Sequence, residues 1–243
     1  MNYAIILAGG SGTRLGADRP KQFIEVLDKP VLAYTLDIFE RNSNIDAIEI
    51  GCNVNWLEYC KVLVKKYKIT KVKWIVNGGE TFQETVKNCV DNLKDKINLE
   101  DYVMIQYGAA PFTKQIIIDD AIKIAKEKGM SFAATPCYQL MGSKDENNTS
   151  LNWVDRDKQI QIACPQTFKF GLLLEIYNKA KENDLLNKVE PHTTSLMYEL
   201  GYPLYESYSD QTNVKITTKE DLDLFEGWVL MNRKRFKEGK KWL

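Results

Sequence analysis

Apolar residues along this chain follow two alternating periods. Short, nearly continuous runs at Ala4–Leu7, Ala47–Cys52, Val72–Val76, Tyr102–Gln106 and Phe132–Pro136 have the length and β-branched content of buried strands. Between them, apolar residues recur every three or four positions, which predicts helices over Val31–Glu40, Trp56–Tyr67, Thr81–Leu93 and from Thr113 to Lys128. Thr113 is the expected N-cap of the last of these and Gly129 its stop. Lysines end the Trp56–Tyr67 segment, where they suit the negative end of a helix dipole, and Gly78-Gly79 marks a turn. This alternation predicts a Rossmann-like α/β fold, with a mixed, mainly parallel sheet and helices on both faces. Ligands of such sheets bind beyond the carboxyl ends of the strands.

Residues 138 to 162 break the rhythm. A polar turn, Gly142–Ser150, separates two strand-like stretches, Cys137–Met141 and Leu151–Val154. A protruding β-arm and an irregular surface loop both fit this pattern. The arm reading makes 138–162 a dimerisation element on a single domain spanning 1–243. Further on, helices are expected at Phe170–Asn183 and Ser195–Leu200, with short strands at Leu204–Ser207 and Val214–Ile216. Thr218-Lys-Glu-Asp221 has the form of a capping box opening a final helix. The basic stretch from Arg233 to Lys241 reads as a solvated helix end, with a binding patch as the alternative.

Composition narrows the function classes. The 243 residues suit one large α/β domain with an ample core. Thirty-three basic and thirty-three acidic residues balance, which argues against a general nucleic-acid binder. No apolar run reaches the roughly 18 residues of a membrane span, and the start lacks a signal-peptide pattern, so a cytoplasmic protein is expected. Five cysteines are scattered without a Cys-x-x-Cys pair and read as buried thiols. A single histidine, His192, excludes a His-rich metal site.

The densest chemistry lies near the start. The Ala4–Leu7 strand runs directly into Ala8, Gly9, Gly10 and Gly12, a loop able to turn tightly and bring backbone N–H groups close to an anion. Arg14 follows, then Lys21 behind the rigid Pro20. Strand, glycine loop and two cations suit a nucleoside triphosphate, whose charge the cations offset during phosphoryl chemistry. Neither a P-loop nor a dinucleotide fingerprint is present: Thr13-Arg14 follows Gly12, and position 15 is Leu. A strand–turn with chance surface cations is the bland alternative.

Leu7-Ala-Gly-Gly-Ser-Gly-Thr-Arg14 with Pro20-Lys-Gln-Phe23 resembles the signature of the cytidylyltransferases that act on methylerythritol phosphate and ribitol phosphate. Four further stretches match in order: Gly78-Gly-Glu-Thr with Thr85-Val86, Val154-Asp-Arg156, Cys164-Pro-Gln166 with Phe168, and Asn213-Val-Lys-Ile-Thr217 before Glu220-Asp-Leu222. Together they span almost the whole chain. The Ala-Gly-Gly start and the Asn-Val-Lys-Ile-Thr-Thr ending look closer to the ribitol-phosphate branch. The resemblance implies a homodimer that joins CTP to an alcohol phosphate with release of pyrophosphate, in the service of cell-surface polymers. Such a reaction needs positioning and charge stabilisation, not a covalent nucleophile. By the same resemblance Arg14, Lys21 and Lys215 hold the triphosphate. Ala8, Gly9, Gly10 and Gly12 line the nucleotide, with Gly79, Glu80 and Thr85 near the cytosine. Arg156 reaches across a dimer interface to the neighbour's substrate phosphate; an exposed arm charge is the alternative. His192 and Thr193 fall on the acceptor side, where His192 has a capping or packing role as its alternative. For Lys21 and Lys215 the alternative is a surface lysine. A sugar-phosphate transferase using another nucleotide, and a nucleotide-binding scaffold without turnover, remain rival readings.

The chain departs from the family at two places. Where the family has His-Asp-Ala-x-Arg-Pro, with its Asp on the Mg²⁺ that bridges the CTP phosphates, this chain has Gln106-Tyr-Gly-Ala-Ala-Pro111. Tyr107 stands for the metal aspartate and Ala110 for the arginine, and a neutral phenol is a poor ligand for a hard cation. Mg²⁺ then depends on the triphosphate and another group such as Asp210, or the basic residues carry the charge, or catalysis is lost. On the acceptor side, Tyr138-Gln139-Leu140 replaces Arg-Asp-Thr, and Pro191-His-Thr-Thr-Ser195 replaces Thr-Asp-Glu-Ala-Ser. Losing two acidic groups suited to sugar-alcohol hydroxyls points to a different acceptor, less hydroxylated or itself anionic.

Overall fold

Strand β1 (Asn2–Ala8) sends alternate side chains into two apolar layers: Tyr3 and Ile5 into one, Ala4, Ile6 and Ala8 into the other. A strand apolar on both faces belongs at the centre of a sheet covered on both sides, and β1 lies there. The structure is a computed structural model that describes residues 1–10, 19–186 and 188–238. After β1 come a small hairpin of β2 (Glu25–Val26) and β3 (Lys29–Pro30), helix α1 (Val31–Arg41), β4 (Ala47–Cys52), α2 (Leu57–Lys66), β5 (Val72–Asn77) and α3 (Phe82–Leu93). Next are β6 (Tyr102–Tyr107), α4 (Gln115–Lys128), β7 (Met130–Pro136), the short β8 (Met141–Gly142) and β9 (Trp153–Val154), and the long β10 (Ile160–Lys169). The chain continues through α5 (Phe170–Glu182), α6 (Thr193–Glu199), β11 (Glu206–Tyr208) and α7 (Lys219–Lys237).

The main sheet runs in the order β11-β7-β10-β6-β1-β4-β5. All its pairings are parallel except those of β10, which is antiparallel to both β6 and β7. The carboxyl ends of β1, β4, β5 and β6 therefore converge on one edge. Helices α3, α5 and α6 cover one face through Val86, Val90, Leu173, Ile176 and Met197. Helices α1, α2 and α4 cover the other through Leu36, Phe39, Leu63 and Ile118. A third apolar cluster ties α7, through Phe225 and Val229, to Phe112 and Ile216 beside the β6 edge.

Most elements lie where the periodicity predicts them, and the exceptions have local causes. Thr81, not yet helical, caps α3: its hydroxyl accepts from the Glu84 N–H while Glu84 returns a bond to the Thr81 N–H. Gly129 ends α4 in the left-handed conformation, φ +87°. Thr113, by contrast, does not cap α4. Lys114 holds that position, and the Thr113 hydroxyl is turned inward, buried, accepting from Gln106 and donating to Asn213. Val214–Ile216 is irregular, not a strand, because its one sheet-like bond runs from the Ile216 N–H to the Ala109 carbonyl across a loop. In 138–162 β8 and β9 pair with each other over two residues each and Ile160–Ile162 already pairs with β7 as the start of β10, so the excursion is a short hairpin ahead of that strand. Strand β10 joins the sheet where no strand is expected: Ile160–Ile162 is exposed, and only Cys164–Phe168 is buried.

One buried charge sets the pH behaviour of the core. Glu49 on β4 is 1% exposed; Asn92 donates to one of its carboxyl oxygens, and the other has no partner. Burial pushes its pKa up to about 8, against partial relief from Asn92 and Lys96. The folded state thus holds a proton that the unfolded chain releases near its ordinary value. This stabilisation is fully present below pH ~4.5 and is lost as pH rises to about 8. Glu49→Gln mimics the protonated form. Thermal melts of the variant should match the wild type at pH 5 and exceed it by roughly 5 °C at pH 9. Equal melting differences at both pH values would remove Glu49 as the cause.

Candidate active site

The edge where β1, β4, β5 and β6 end is floored by two glycine turns packed backbone to backbone. Ala8, buried, closes β1, and its carbonyl accepts from the Asn53 N–H at 3.2 Å and from the Gln22 carboxamide at 2.8 Å. Gln22 also donates to the Gly10 carbonyl at 2.9 Å, so one buried side chain ties the glycine turn to the short helical turn Lys21–Phe23. Gly9 has no room for a side chain: a Cβ there would lie 2.7 Å from the Thr85 hydroxyl. The same hydroxyl accepts from the Gly79 N–H at 3.0 Å and donates to the Thr81 carbonyl at 2.9 Å. Thr85 thereby braces the β1 and β5 turns against each other. Above this floor is a cavity of about 330 Å³ whose walls include Gly9, Gly10, Lys21, Gly79, Glu80, Phe82 and Thr85.

A second cavity of about 330 Å³ is lined by Thr135, Gln161, Ser209, Asp210 and Asn213. Tyr107, His192 and Lys215 line both cavities and form the wall between them. That wall is held from below by Asn213. Its buried carboxamide donates to the Cys164 carbonyl at 2.8 Å and to the Ser209 hydroxyl at 2.9 Å, and accepts from Thr113 at 2.8 Å. Three residues on, the Ile216 N–H bonds the Ala109 carbonyl at 2.8 Å. Lys215 is fixed between these two anchors, and its ammonium lies 3.9 Å from the centre of the Tyr107 ring. Gln83 supports the third member of the wall, donating to the Glu190 carbonyl at 3.2 Å ahead of His192.

Burial dominates the electrostatics of the wall. It raises the Tyr107 phenol well above its ordinary pKa, with the neighbouring Cys164 adding to the shift, so Tyr107 is neutral beside the Cys164 thiol. Burial likewise pushes Cys164 up to about 12. His192 is lowered, first by burial and then by Lys215, although Glu190, 3.1 Å away, opposes this. A neutral imidazole thus faces the cavities at neutral pH, and the charge on this wall belongs to Lys215. Burial acts against ionisation of Asp210, but the Lys114 ammonium at 2.8 Å and the Thr212 donors hold it below its usual value.

These groups do not make a divalent-cation site. Among the described residues no three of His, Cys, Asp or Glu gather as ligands. Tyr107 is an uncharged phenol, and Asp210, the other candidate, is taken up by Lys114 and Thr212.

The structure brings most of the sequence candidates together. Gly9, Gly10, Lys21, Gly79, Glu80 and Thr85 share one cavity, with Ala8 buried beneath, and Lys215 and His192 border both cavities. Gly12 and Arg14 lie outside the described residues. Arg156 lines neither cavity of its own chain; it sits on the excursion and donates to the Tyr138 carbonyl at 2.7 Å. Thr193 also lines neither, because its buried hydroxyl is bonded to Tyr177 at 3.0 Å. Sequence reasoning missed the roles of Gln22, Phe82 and Gln161. Gln22 stood inside a quoted motif, and its glutamine at a fixed offset from the glycine turn was the available signal; Phe82 and Gln161 carried none.

Comparison with known proteins agrees with this geometry. The family model for IspD, 2-C-methyl-D-erythritol 4-phosphate cytidylyltransferase, matches residues 2–230. A ribitol-5-phosphate cytidylyltransferase of Lacticaseibacillus paracasei is 32% identical over 229 residues, covering 94% of this chain and 98% of that protein. A 2-C-methyl-D-erythritol 4-phosphate cytidylyltransferase of Clostridium tetani is 38% identical over 229 residues, covering 94% and 90%. These identities do not favour the ribitol-phosphate branch. Among solved structures, the 4-diphosphocytidyl-2C-methyl-D-erythritol synthase of Anaerococcus prevotii superposes with a TM-score of 0.77 at 23% identity, covering 95% of this chain and 96% of that one. The Francisella tularensis 2-C-methyl-D-erythritol 4-phosphate cytidylyltransferase gives 0.74 at 26%, covering 93% and 98%. Full-length agreement in sequence and fold places this chain in the IspD family of CTP-dependent cytidylyltransferases.

Proposed function

We propose that this protein transfers the cytidylyl group of CTP to a phosphorylated or phosphonylated small alcohol, for use in a cell-surface polymer. The observation that carries this reading is the pair of cavities sharing the Tyr107–His192–Lys215 wall, with Lys21 on the nucleotide side. A phosphate oxygen of the acceptor attacks the α-phosphorus of CTP. The bond from that phosphorus to the bridging oxygen breaks, and its electron pair leaves with pyrophosphate. No covalent enzyme intermediate is needed. Lys21 and Lys215 stabilise the charge on the transferring phosphorus, with Arg14 assigned the same task from its place in the motif. The glycine turns receive the nucleotide, and Glu80 and Gly79 border its base.

The acceptor cavity supports an unusual substrate. Apart from Lys215 and the neutral His192, its polar groups are amides and hydroxyls set beside apolar Ala110, Ile162, Ala163 and Val214, and its one carboxylate is already paired. A small acceptor with few hydroxyls, its phosphate or phosphonate directed to Lys215, suits it better than a pentitol chain. The identities above support both a ribitol-phosphate and a methylerythritol-phosphate relative, so the cavity carries this choice.

The excursion supports a homodimer. Leu140, Leu151 and Trp153 are 83%, 80% and 74% exposed, a costly display of apolar surface for a lone chain. A second copy covers these side chains, and Arg156, which serves neither cavity of its own chain, reaches the partner's acceptor cavity.

A second reading, a nucleotide-binding scaffold without turnover, draws on Tyr107 at the position of a family carboxylate. Pyrophosphate release separates the two. With CTP and Mg²⁺ the wild type should release pyrophosphate with small alcohol phosphates or phosphonates faster than with ribitol 5-phosphate. Highest turnover with ribitol 5-phosphate overturns the acceptor assignment, and CTP binding without turnover across the panel leaves the scaffold. Lys215→Ala should lower kcat by roughly 10²–10³ while the protein stays folded. For the dimer, Leu151→Asp with Trp153→Asp should shift sedimentation from dimer to monomer; an unchanged dimer places the interface elsewhere.

A further inference from the structure

We infer that Tyr107 is a positioning residue for Lys215, its ring holding the ammonium by a cation–π contact at the wall between the two cavities. The inference rests on the cytidylyltransferase reading above. Lys215 Nζ is 3.9 Å from the ring centre, well inside the range of about 6 Å where a cation is attracted to a ring face. The contact is desolvated on the ring side, since Tyr107 is largely buried, which strengthens it.

Both partners are held. The Tyr107 ring meets Phe82 at 5.7 Å and His192 at 6.4 Å, both edge-on. The backbone around Lys215 is fixed by Asn213 on one side and Ile216 on the other. A lysine carries four flexible side-chain bonds, so an anchored backbone alone leaves its ammonium spread over several positions. The ring removes that freedom at the head.

The partner's neutrality is the point of the arrangement. A carboxylate at 107 would attract the ammonium too, but it would set a negative charge against any phosphate arriving at the same wall. A ring face attracts the cation without presenting that charge. With no carboxylate there, the described residues give a divalent ion no anchor, and the protein's own charge at this wall comes from Lys215.

A double-mutant cycle tests this, with Tyr107→Phe, Tyr107→Leu, Lys215→Ala and the Leu/Ala combination. Tyr107→Phe, which keeps the ring and loses only the hydroxyl, should retain kcat within about threefold. Tyr107→Leu should lower kcat about tenfold or more with a smaller effect on KM for CTP. Adding Tyr107→Leu to Lys215→Ala should cost no more than about twofold, because the ring acts through the lysine. Losses that multiply, or a Leu variant with wild-type kcat, overturn the inference. Tyr107→Met serves as a second apolar variant should Leu at this position not fold. Independently of turnover, the Lys215 side-chain methylene NMR signals should be shifted upfield by the ring current in the wild type and in Tyr107→Phe, and should lose that shift in the Leu or Met variant. A wild type that turns over no acceptor sinks the functional reading, and the ring-current shift then decides whether Tyr107 holds Lys215: its presence in the apolar variant overturns the contact.

Discussion

The buried carboxamide of Asn213 is the interaction on which the two cavities depend. It joins three segments distant in sequence: the loop after β6 through Thr113, strand β10 through the Cys164 carbonyl, and its own loop through Ser209. Gln106 extends the chain, donating to Thr113 and accepting from the Tyr107 N–H. Each of these groups is buried, and leaving one unsatisfied costs about 1–3 kcal/mol. The network is therefore close to all-or-none. No apolar residue could replace Asn213 without orphaning a carbonyl and two hydroxyls. What it delivers is the location of Lys215 relative to Tyr107, a relation between residues 108 positions apart that no local element could set.

Two different economies of charge operate around this network. In the core, Glu49 gains one hydrogen bond and remains protonated, since burial outweighs what Asn92 and Lys96 return. At the wall, the Lys215 ammonium rests on the face of a neutral ring. Removing two opposite charges from water costs several kcal/mol per ion even after relaxation, whereas a lysine against a ring face keeps its other side toward the cavity. Burial keeps the neighbouring weak acids, Tyr107 and Cys164, neutral as well. His192, lowered by burial and by Lys215, follows suit.

The legibility of the sequence follows from these causes. The covered strands could be read because β1, β4 and β6 are apolar on both faces and cannot be anything but central. The Thr218–Asp221 cap and the Gly129 stop are local chemistry and were readable in place. Thr113 was misread because a threonine before a helix fits two roles, and the choice was made by Asn213, a hundred residues away. Strand β10 was unreadable for a related reason: its exposed first half earns its strand form only by pairing with β7, from Ile160 opposite Pro136 to Ala163 opposite Ala133. At the site, glycines and lysines in motif spacing pointed to the nucleotide side. Phe82 and Gln161 could not be found, because their place at a cavity wall is a product of tertiary packing.

The two cavities differ in what builds them, and this accounts for where the chain keeps to its family and where it departs. The floor of the cavity proposed for the nucleotide is largely backbone: the β1 and β5 turns lie so close that a Cβ at Gly9 would strike Thr85 and one at Gly78 would come within 3.1 Å of the Gly9 Cα. Backbone that tight admits almost no substitution without moving two strands, so the motif stays visible in the sequence. The acceptor side is built from side-chain tips, Thr135, Gln161, Asp210 and Lys215 among them. Exchanging one of these alters what the cavity binds while leaving the sheet intact. A cavity of the second kind can change its substrate over a fixed floor, and the departures at Tyr107, Ala110 and His192 fall on its lining.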